Sequence, residues 1–304
     1  LARFAMKTYK NTNCKIFEPK INNDEKVSLE DISLIAQMHK AVTVIQLKLE
    51  GQIVQESPEY NMNDRLFLDK IDFLKKTVKI GDKDYQMLDT DFPTVDPDDP
   101  HKLSKEEEEI TEKIKNSLKK SEKLQKHIKF LILKGGIYLK YNSNLLYHAC
   151  IPMEENREFK KIEIFGKSYY GKNFLDKIDM LVREYYHTGS RPMEKFGSDF
   201  FWYLWCHKDS PLFGKDKMAT FERYFIDDKL THKETENPYF AHRDKEKVCN
   251  MILENFDLDI KKSHIINGHM PVIVRKGESP IKANGKLLVI DGGLSKAYQK
   301  KTGI

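Results

Sequence analysis

The sequence predicts a mixed protein, α/β or α+β, in which a helical first part is followed by strands that alternate with helices. Two long segments, at residues 28–51 and 104–132, carry apolar residues at helical spacing. After Gly135 and Gly136 the pattern changes to short apolar runs separated by turn residues. Strands alternating with helices favour layers in which helices cover a sheet.

The first amphipathic segment has signals for both a helix start and a helix end. Ser28 and Asp31 have the spacing of a capping box, and Gly51 follows the last apolar turn. The segment therefore predicts a helix over residues 28–51. The apolar residues expected on its buried face are Ile32, Ile35, Val42, Ile45 and Leu49.

Turn and cap residues organise the chain between the two segments. Gly81 and Asp82 predict the turn of a short hairpin, and the prolines of residues 89–103 predict a loop. A second capping box, Ser104 with Glu107, opens one long helix with an acidic start and a basic end. Its glutamate run could suggest a metal site, but a solvated first turn is the favoured interpretation.

The second half alternates between strand and helix patterns. The predicted elements are strands around Asn142 to Asn144, a hairpin in 160–171, a helix in 173–186, an apolar run at 199–206, a helix in 244–256, strands in 264–269 and 286–293, and a helical turn in 295–301.

Composition limits the classes of function. The 304 residues include 52 basic and 47 acidic side chains, interspersed, for a net charge of +5. This mild excess suits an anionic small substrate better than nucleic acid, which usually requires a concentrated basic stripe. No apolar run reaches the ~20 residues of a membrane helix, and no signal-peptide core is visible. We therefore expect a cytoplasmic protein that binds neither nucleic acid nor membrane.

The four cysteines are far apart in the chain. Cys14, Cys150, Cys206 and Cys249 form no C-x-x-C pair, so neither a zinc ribbon nor a redox dithiol is indicated. Reduced, buried thiols are the favoured interpretation.

Two histidines occupy similar positions. His148 and His269 each follow an apolar, strand-like run and are followed within a few residues by a proline. Side chains at strand ends project into the crevice where open sheets bind ligands, and Gly268 would let a metal or phosphate come close. Imidazole suits zinc, manganese or iron. From spacing alone, histidines hydrogen-bonded at the edge of the core stay the favoured alternative. His264 is interpreted as structural.

Basic residues suggest a phosphate contact. Lys215, Lys217 and Arg223 lie in an aromatic-rich segment, where packing could hold cations against a phosphate. Solvated lysines are an equally good interpretation. Lys282 is a weaker candidate of the same kind. The amides of Gly292 and Gly293, between a strand and a helix, predict either a phosphate contact or a plain tight turn.

Seven segments also carry a resemblance to a known family. They are NLLYHACIPM, WYLWCHKDSPLFGKDKMATFERYF, INGHMPV and SPIKANGKLLVIDGGLSKAYQKKTGI, with MHKAVTVIQLKLEGQIV, NMNDRLFLDKID and DFPTVDPDDPHKLSKEE upstream. In the same order and across nearly all the chain, they resemble the class III, or Firmicutes-type, fructose-1,6-bisphosphatases. That family is similar to the calcineurin-like metallophosphatases.

The resemblance implies an α+β fold, an αββα sandwich of which this chain is the C-terminal part with a helical or loop insertion. It implies a helical segment of the phosphatase domain at residues 1–51. Residues 52–133 would be the insertion or cap with the long helix. Residues 134–304 would form the C-terminal half of the sandwich.

The resemblance also implies a reaction. Fructose 1,6-bisphosphate would be hydrolysed to fructose 6-phosphate and phosphate, a step of gluconeogenesis, by a hydroxide activated by two divalent ions, commonly manganese. His148 matches the strand-end histidine of the superfamily, and His269 matches its glycine-histidine motif. Both are therefore expected to bind metal, and Lys215, Lys217 and Arg223 to contact phosphate.

The sequence departs from the superfamily pattern in one major respect. The D-x-H, G-D-x-x-D and G-N-H-[DE] motifs, which supply most metal ligands and the acid, do not occur. Because the chain begins at Leu1 rather than Met, we expect a piece of a longer enzyme, with the catalytic residues outside it. The alternative is a catalytically incomplete phosphate-binding or assembly module. Ala149 and His207 replace smaller family residues, and a nucleotide effector and a homo-oligomer stay open.

Overall fold

The computed structural model describes residues 1–21, 27–188, 191–273 and 276–291. The chain forms two compact units: Leu1–Lys126 with Ala219–Lys233, and His127–Met218 with Glu234–Ile304. The predicted division into residues 1–51, 52–133 and 134–304 of a phosphatase domain stays a prediction. The final helical turn and the Gly292–Gly293 pair lie outside the described residues.

The secondary structure is mixed, as expected for an α+β protein. The helices are α1 (Ala2–Thr8), α2 (Leu29–Glu56), α3 (Lys105–Lys120), α4 (Glu122–Lys134), α5 (Gly171–Thr188), α6 (Arg191–Cys206), α7 (Thr220–Phe225), α8 (Pro238–His242) and α9 (Glu246–Asn255). The strands are β1 (Ile71–Asp72), β2 (Thr77–Ile80), β3 (Lys83–Gln86), β4 (Tyr138–Tyr141), β5 (Asn144–Tyr147), β6 (Ile162–Ile164), β7 (Lys167–Tyr169), β8 (His264–Asn267), β9 (Ile281–Lys282) and β10 (Leu287–Val289).

Helix α2 begins as predicted but does not end at Gly51. The Ser28 side chain accepts a hydrogen bond from the Asp31 amide, which confirms the cap. The helix continues to Glu56, and Gly51 is buried inside it. A Cβ on Gly51 would lie 1.9 Å from Nδ1 of His101. The glycine therefore provides space for a neighbouring ring rather than a helix end.

The buried face of α2 is more polar than its apolar pattern predicts. Ile35 and Val42 are 39% and 38% exposed, whereas Lys40 and Lys48 are completely buried. The Lys40 ammonium lies 2.7 Å from a carboxylate oxygen of Asp89, and the Lys48 ammonium lies 2.8 Å from one of Glu107. Ion pairing thus allows two lysines to lie on the buried side of the helix, where the pattern predicted only apolar residues.

Glu107 links this buried pair to the start of α3. Its carboxylate accepts from the Ser104 amide at 2.7 Å and from the Thr94 hydroxyl at 2.6 Å, while the Ser104 side chain accepts from the Glu107 amide. The predicted capping box is therefore confirmed. The prediction that the glutamates of the first turn are solvated is confirmed for Glu106, Glu108 and Glu109, which are exposed. It is wrong for Glu107, which is fully buried.

The single long helix predicted from Ser104 is two helices. Ser121 has an extended backbone, with φ −74° and ψ 98°, and separates α3 from α4. Serine is a strong helix-start residue, and the Ser121 carbonyl accepts from the Gln125 amide, so a new helix begins there. The apolar stripe is also less buried than expected, since Leu118 and Leu131 are exposed.

The first unit is built around aromatic packing. The predicted hairpin at Gly81 is confirmed as β2 and β3, which join β1 in an antiparallel sheet. Phe221 and Phe225 of α7 pack in the core of this unit, and the Phe221 ring stacks on Phe67 at 4.2 Å between centroids. The basic, aromatic segment at residues 210–225 is therefore divided between the two units, and its helical end lies in the core of the first unit.

A mixed sheet organises the second unit. In the part of the chain that the structure describes, its five strands lie in the order β4-β5-β8-β10-β9. Strands β5, β8 and β10 are parallel, and the outer strands are antiparallel to their neighbours. The predicted turn between β4 and β5 is confirmed, with Asn142 and Ser143 at positive φ. The predicted hairpin β6–β7 and helices α5 and α9 are confirmed as well.

The two faces of this sheet differ. Residues that alternate toward one face are buried, whereas those on the opposite face are half-buried or exposed. The buried face comprises Leu145, Tyr147, Ile265, Asn267, Leu287 and Val289. Cys150, Cys206 and Cys249 are also buried, Cys14 is half-buried, and all four are thiols rather than disulfides. Burial raises the pKa of the Cys249 thiol to about 12, as expected for inert thiols.

Among the described residues, no helix has the length and apolar character to cross a membrane.

We expect Gly51→Ala to destabilise the protein, although alanine is the better helix former by about 1 kcal/mol. Its methyl group would overlap the His101 ring, and such overpacking typically costs about 1–3 kcal/mol. Urea unfolding measures the change. The matched control is the same Gly51→Ala change in a protein that already carries His101→Ala. Without the ring, alanine at position 51 should carry no penalty. An increase in stability in Gly51→Ala alone would contradict the close-approach explanation.

We expect Lys48→Met to lower the free energy of unfolding by about 3–5 kcal/mol, because it leaves the Glu107 carboxylate buried without its cation. Lys113→Met is the control, since the Lys113–Glu109 pair is exposed and contributes little. Chemical denaturation of both variants tests the difference. Equal losses in the two would show that burial of the pair has no special cost.

Candidate functional site

The parallel pairing of β5 and β8 brings two histidines together. Tyr147 and Asn267 are register partners at the carboxyl ends of these strands. His148 follows the first strand directly, and His269 follows the second after Gly268. The expected meeting of strand-end histidines is thus observed at one edge of the sheet.

The imidazole rings are in direct contact. Nδ1 of His269 lies 3.2 Å from Nε2 of His148, and the ring centroids are 5.0 Å apart at an interplanar angle of 75°. The amide of Gly268 donates to the His148 carbonyl at 3.0 Å, which ties the two strand ends together. His269 has φ +71°, a left-handed conformation that is uncommon for a residue other than glycine. The site therefore holds one of its histidines in a strained backbone.

Burial and neighbouring charge favour neutral His269. Removal from water lowers its pKa, and the adjacent His148 and the Lys215 cation act in the same direction. Contact with the Phe213 main chain and the Asp291 charge act in the opposite direction and raise the pKa. Nε2 of His269 is buried and makes no well-formed hydrogen bond within the described residues. A neutral ring with a free nitrogen is the form that binds metal.

A third polar side chain, Asp291, reaches the same edge. It follows β10, the other strand parallel to β8, and a Cβ on Gly268 would lie 3.4 Å from Cβ of Asp291. The main chain of Asp291 accepts from the Val272 amide at 3.1 Å and so holds the loop after His269. Asp291 was not predicted as a site residue from the sequence. It nevertheless follows an apolar strand, which is the signal that identified the two histidines.

These residues line a cleft of about 600 Å³ along the exposed face of the sheet. Its polar lining includes His148, Asn267, His269 and Asp291, and its apolar lining includes Leu139, Leu146, Leu212, Ile266 and Ile290. A pocket with an apolar wall and a few convergent polar groups is typical of a small-molecule site.

The residues present fit part of a metal centre. Metal–nitrogen bonds of about 2.1 Å place two ligand nitrogens roughly 3 Å apart, and the nitrogens of His148 and His269 are 3.2 Å apart. The unpaired Nε2 of His269 is an alternative donor atom, because an ion bound there would lie on the side of the ring away from Nδ1 and His148. However, no three His, Cys, Asp or Glu side chains among the described residues group closely enough to hold a metal ion. The histidine pair therefore needs further ligands.

The predicted phosphate-binding cations are not all in one place. Lys215 is near enough to influence the pKa of His269, and its ammonium pairs with Glu234 at 2.9 Å. Lys217 lies half-buried in the same unit. Arg223 lies on α7 in the first unit, where its guanidinium donates to the His232 carbonyl at 3.4 Å. Arg223 thus belongs to a different compact unit from Lys215 and Lys217, and its contact with phosphate stays a prediction.

Lys282 is not brought to the histidine pair. It pairs in register with Leu287, which is itself opposite Ile265 near the start of β8 rather than its end. Its ammonium pairs with Asp244 at 2.9 Å. His264, interpreted as structural, lies at the first position of β8, and its Nδ1 is 2.9 Å from the Gly285 carbonyl oxygen.

Comparison with known proteins identifies the family. A family model described as Firmicute fructose-1,6-bisphosphatase matches residues 1–304. A protein named fructose-1,6-bisphosphatase class 3 from Clostridium botulinum strain Hall is 53% identical over 305 residues, covering 100% of this chain and 46% of the relative. The protein of the same name from Clostridium acetobutylicum is 52% identical with the same coverage. No solved structure matches.

The chain thus spans about half the length of the curated relatives that it matches. Because the family model covers all 304 residues and the identity exceeds half, the chain belongs to the Firmicute fructose-1,6-bisphosphatase family.

Proposed function

We propose that the protein expressed from the complete reading frame hydrolyses fructose 1,6-bisphosphate to fructose 6-phosphate and phosphate in the cytoplasm. The observation that carries the proposal is the contact between His148 and His269 at the end of two parallel strands, with a free Nε2 on His269. The names of the relatives specify the sugar bisphosphate. The mild positive charge of the chain suits this anionic substrate.

In this proposal His148 and His269 hold one of two divalent ions, with manganese as the first choice. When bound, the metal centre supplies Lewis-acid polarisation of the phosphoryl oxygens and an activated water. The protein's part is positional, because the strand ends fix the ring directions and burial keeps His269 neutral. Leu212 and Ile266 give the cleft an apolar wall beside the two rings.

The sheet supports the sandwich architecture of the calcineurin-like metallophosphatases as the parent fold. Leu139 and Ile290, on the face opposite the core, are 55% and 59% exposed. Parallel strands are normally covered on both faces. On the same face, Leu146, Ile266 and Leu288 of the parallel strands are half-buried among the described residues. A partly exposed apolar face of this kind is what one half of an αββα sandwich would present. The cleft beside the histidines lies along this face.

Lys215 is the best supported phosphate contact in the proposal. Its charge lies near His269, and its pairing with Glu234 holds the side chain in place. Lys217 follows two residues later in the same unit and is the second candidate. Arg223 stays a weaker candidate, since its guanidinium already binds a carbonyl in the first unit.

The second candidate function is a non-catalytic phosphate-binding or assembly module. It is favoured by the observation that the described residues contain no three-ligand metal group. We expect residues 1–304 alone to show no fructose-1,6-bisphosphatase activity and the complete protein to show manganese-dependent phosphate release. Assaying both with and without a chelator distinguishes the two candidates. A complete protein that binds phosphate but releases none from the substrate would favour the module.

In the complete protein, we expect His148→Ala and His269→Ala each to weaken Mn²⁺ binding by more than about 100-fold, because even residues that only support a ligand contribute about 10–100-fold. Phosphate release should be lost in parallel. Isothermal titration and a phosphate assay measure the two effects. His264→Ala is the matched control, since it removes a histidine from the opposite end of β8. Unchanged Mn²⁺ affinity in either test variant would refute the ligand assignment.

We expect Lys215→Met to raise KM for fructose 1,6-bisphosphate by about 10-fold or more, because a charge-assisted hydrogen bond contributes about 1.5–3 kcal/mol. Lys282→Met should change KM little, because Lys282 pairs with Asp244 near the other end of the strands. Steady-state kinetics at constant ionic strength compare the two variants. A larger effect at Lys282 would reverse our ranking of the phosphate contacts.

A further inference from the structure

A buried amide joins the two strand ends that carry the histidines. Asn267, the last residue of β8, is 1% exposed. Its Nδ2 donates to the Ala149 carbonyl at 3.1 Å and to the Tyr239 hydroxyl at 2.7 Å. Ala149 directly follows His148, and Asn267 precedes His269 by two positions. One amide group thus connects the chain just beyond one histidine to the chain just before the other.

Tyr239 supports this amide from α8. Its side chain is fully buried, and its hydroxyl oxygen lies 2.7 Å from that of Tyr147, the residue before His148. Burial raises the pKa of both tyrosines, so both hydroxyls stay protonated and available as donors. Tyr147 is also the register partner of Asn267. The hydrogen bonds therefore link residues on both sides of His148 to Asn267.

Stability alone does not explain an asparagine at this position. Of the other inward-facing residues of the parallel strands, Leu145, Ile265, Leu287 and Val289 are apolar, and only Tyr147 carries a polar group. Oδ1 of Asn267 is buried and makes no hydrogen bond within the described residues. An unsatisfied buried polar atom costs about 1–3 kcal/mol. A side chain kept at that cost, beside two histidines, points to a geometric requirement.

We propose that Asn267 is a positioning residue that sets the separation and direction of the His148 and His269 rings, with Tyr239 as its buried support. The inference rests on the proposed function for what the rings bind. The arrangement of the rings themselves can be measured without metal, substrate or turnover.

The test compares wild-type protein, expressed from its complete reading frame, with Asn267→Leu. Long-range proton–nitrogen correlation spectra of histidine-labelled, metal-free protein, recorded where both rings are neutral, report which nitrogen carries the proton. In the wild type, the contact between Nδ1 of His269 and Nε2 of His148 should give each ring one dominant tautomer. In Asn267→Leu, we expect both rings to show mixed tautomers, and Mn²⁺ affinity to fall about 10–100-fold.

Two further variants separate positioning from simple destabilisation. Asn250→Leu replaces a half-buried asparagine on α9 whose Oδ1 is also without a hydrogen bond, and it does not line the cleft. It should leave the tautomers and Mn²⁺ affinity unchanged, whichever way the unfolding temperature moves. Tyr239→Phe removes only the supporting hydroxyl, so the variant should fold. Its two histidine rings should show mixed tautomers to a smaller extent than in Asn267→Leu.

Single tautomers in Asn267→Leu and Tyr239→Phe would overturn the proposal, as would equal tautomer mixing in Asn250→Leu. If Asn267→Leu does not fold, the Tyr239→Phe spectrum decides alone. Failure of the proposed function looks different. A wild type with single tautomers that releases no phosphate from fructose 1,6-bisphosphate would refute the reaction and leave Asn267 as the residue that arranges the rings.

Discussion

The candidate site depends on the parallel register of β5 with β8. With Tyr147 opposite Asn267, both strands end at the same level, and the residues that follow them must meet. Shifting one strand by a single residue would turn its side chains to the other face, which would bury Ile266 and expose Ile265. The apolar residues of the buried face therefore fix the register. Core packing thus determines where the histidines meet.

Hydrogen bonds beyond the strands then fix the histidines themselves. The left-handed backbone of His269 is unfavourable by about 1–3 kcal/mol and needs surrounding contacts to persist. The Gly268 amide bonded to the His148 carbonyl and the Val272 amide bonded to Asp291 hold the chain on both sides of His269. These main-chain bonds help to define the turn on both sides of the ring. A rigid backbone is what a metal ligand requires.

Local signals in the sequence predicted much of this arrangement, because caps, turns and strand ends are encoded by adjacent residues. The Ser28 and Ser104 caps, the hairpins and the positions of His148 and His269 are of this kind. What could not be predicted depends on distant residues. Gly51 indicates a helix end in the sequence, but in the structure it makes room for the distant His101 ring. Lys48 lies outside the predicted apolar face, but it is buried because Glu107, far along the chain, pairs with it. For the same reason the sequence did not predict that Arg223 and Lys215, which are close in sequence, belong to different compact units.

Two buried atoms without partners, Oδ1 of Asn267 and Nε2 of His269, lie at this site among the described residues. Each is a cost to folding that a leucine or a phenylalanine would avoid. The two differ in chemistry, because the imidazole nitrogen can regain its lost interaction by binding a cation, whereas the amide oxygen is enclosed behind the strands. If His269 binds a metal ion as proposed, the free energy lost at its nitrogen is recovered on binding, whereas that lost at the Asn267 oxygen is not. Such a division is expected where a fold gives up stability to prepare a binding site before its ligand arrives.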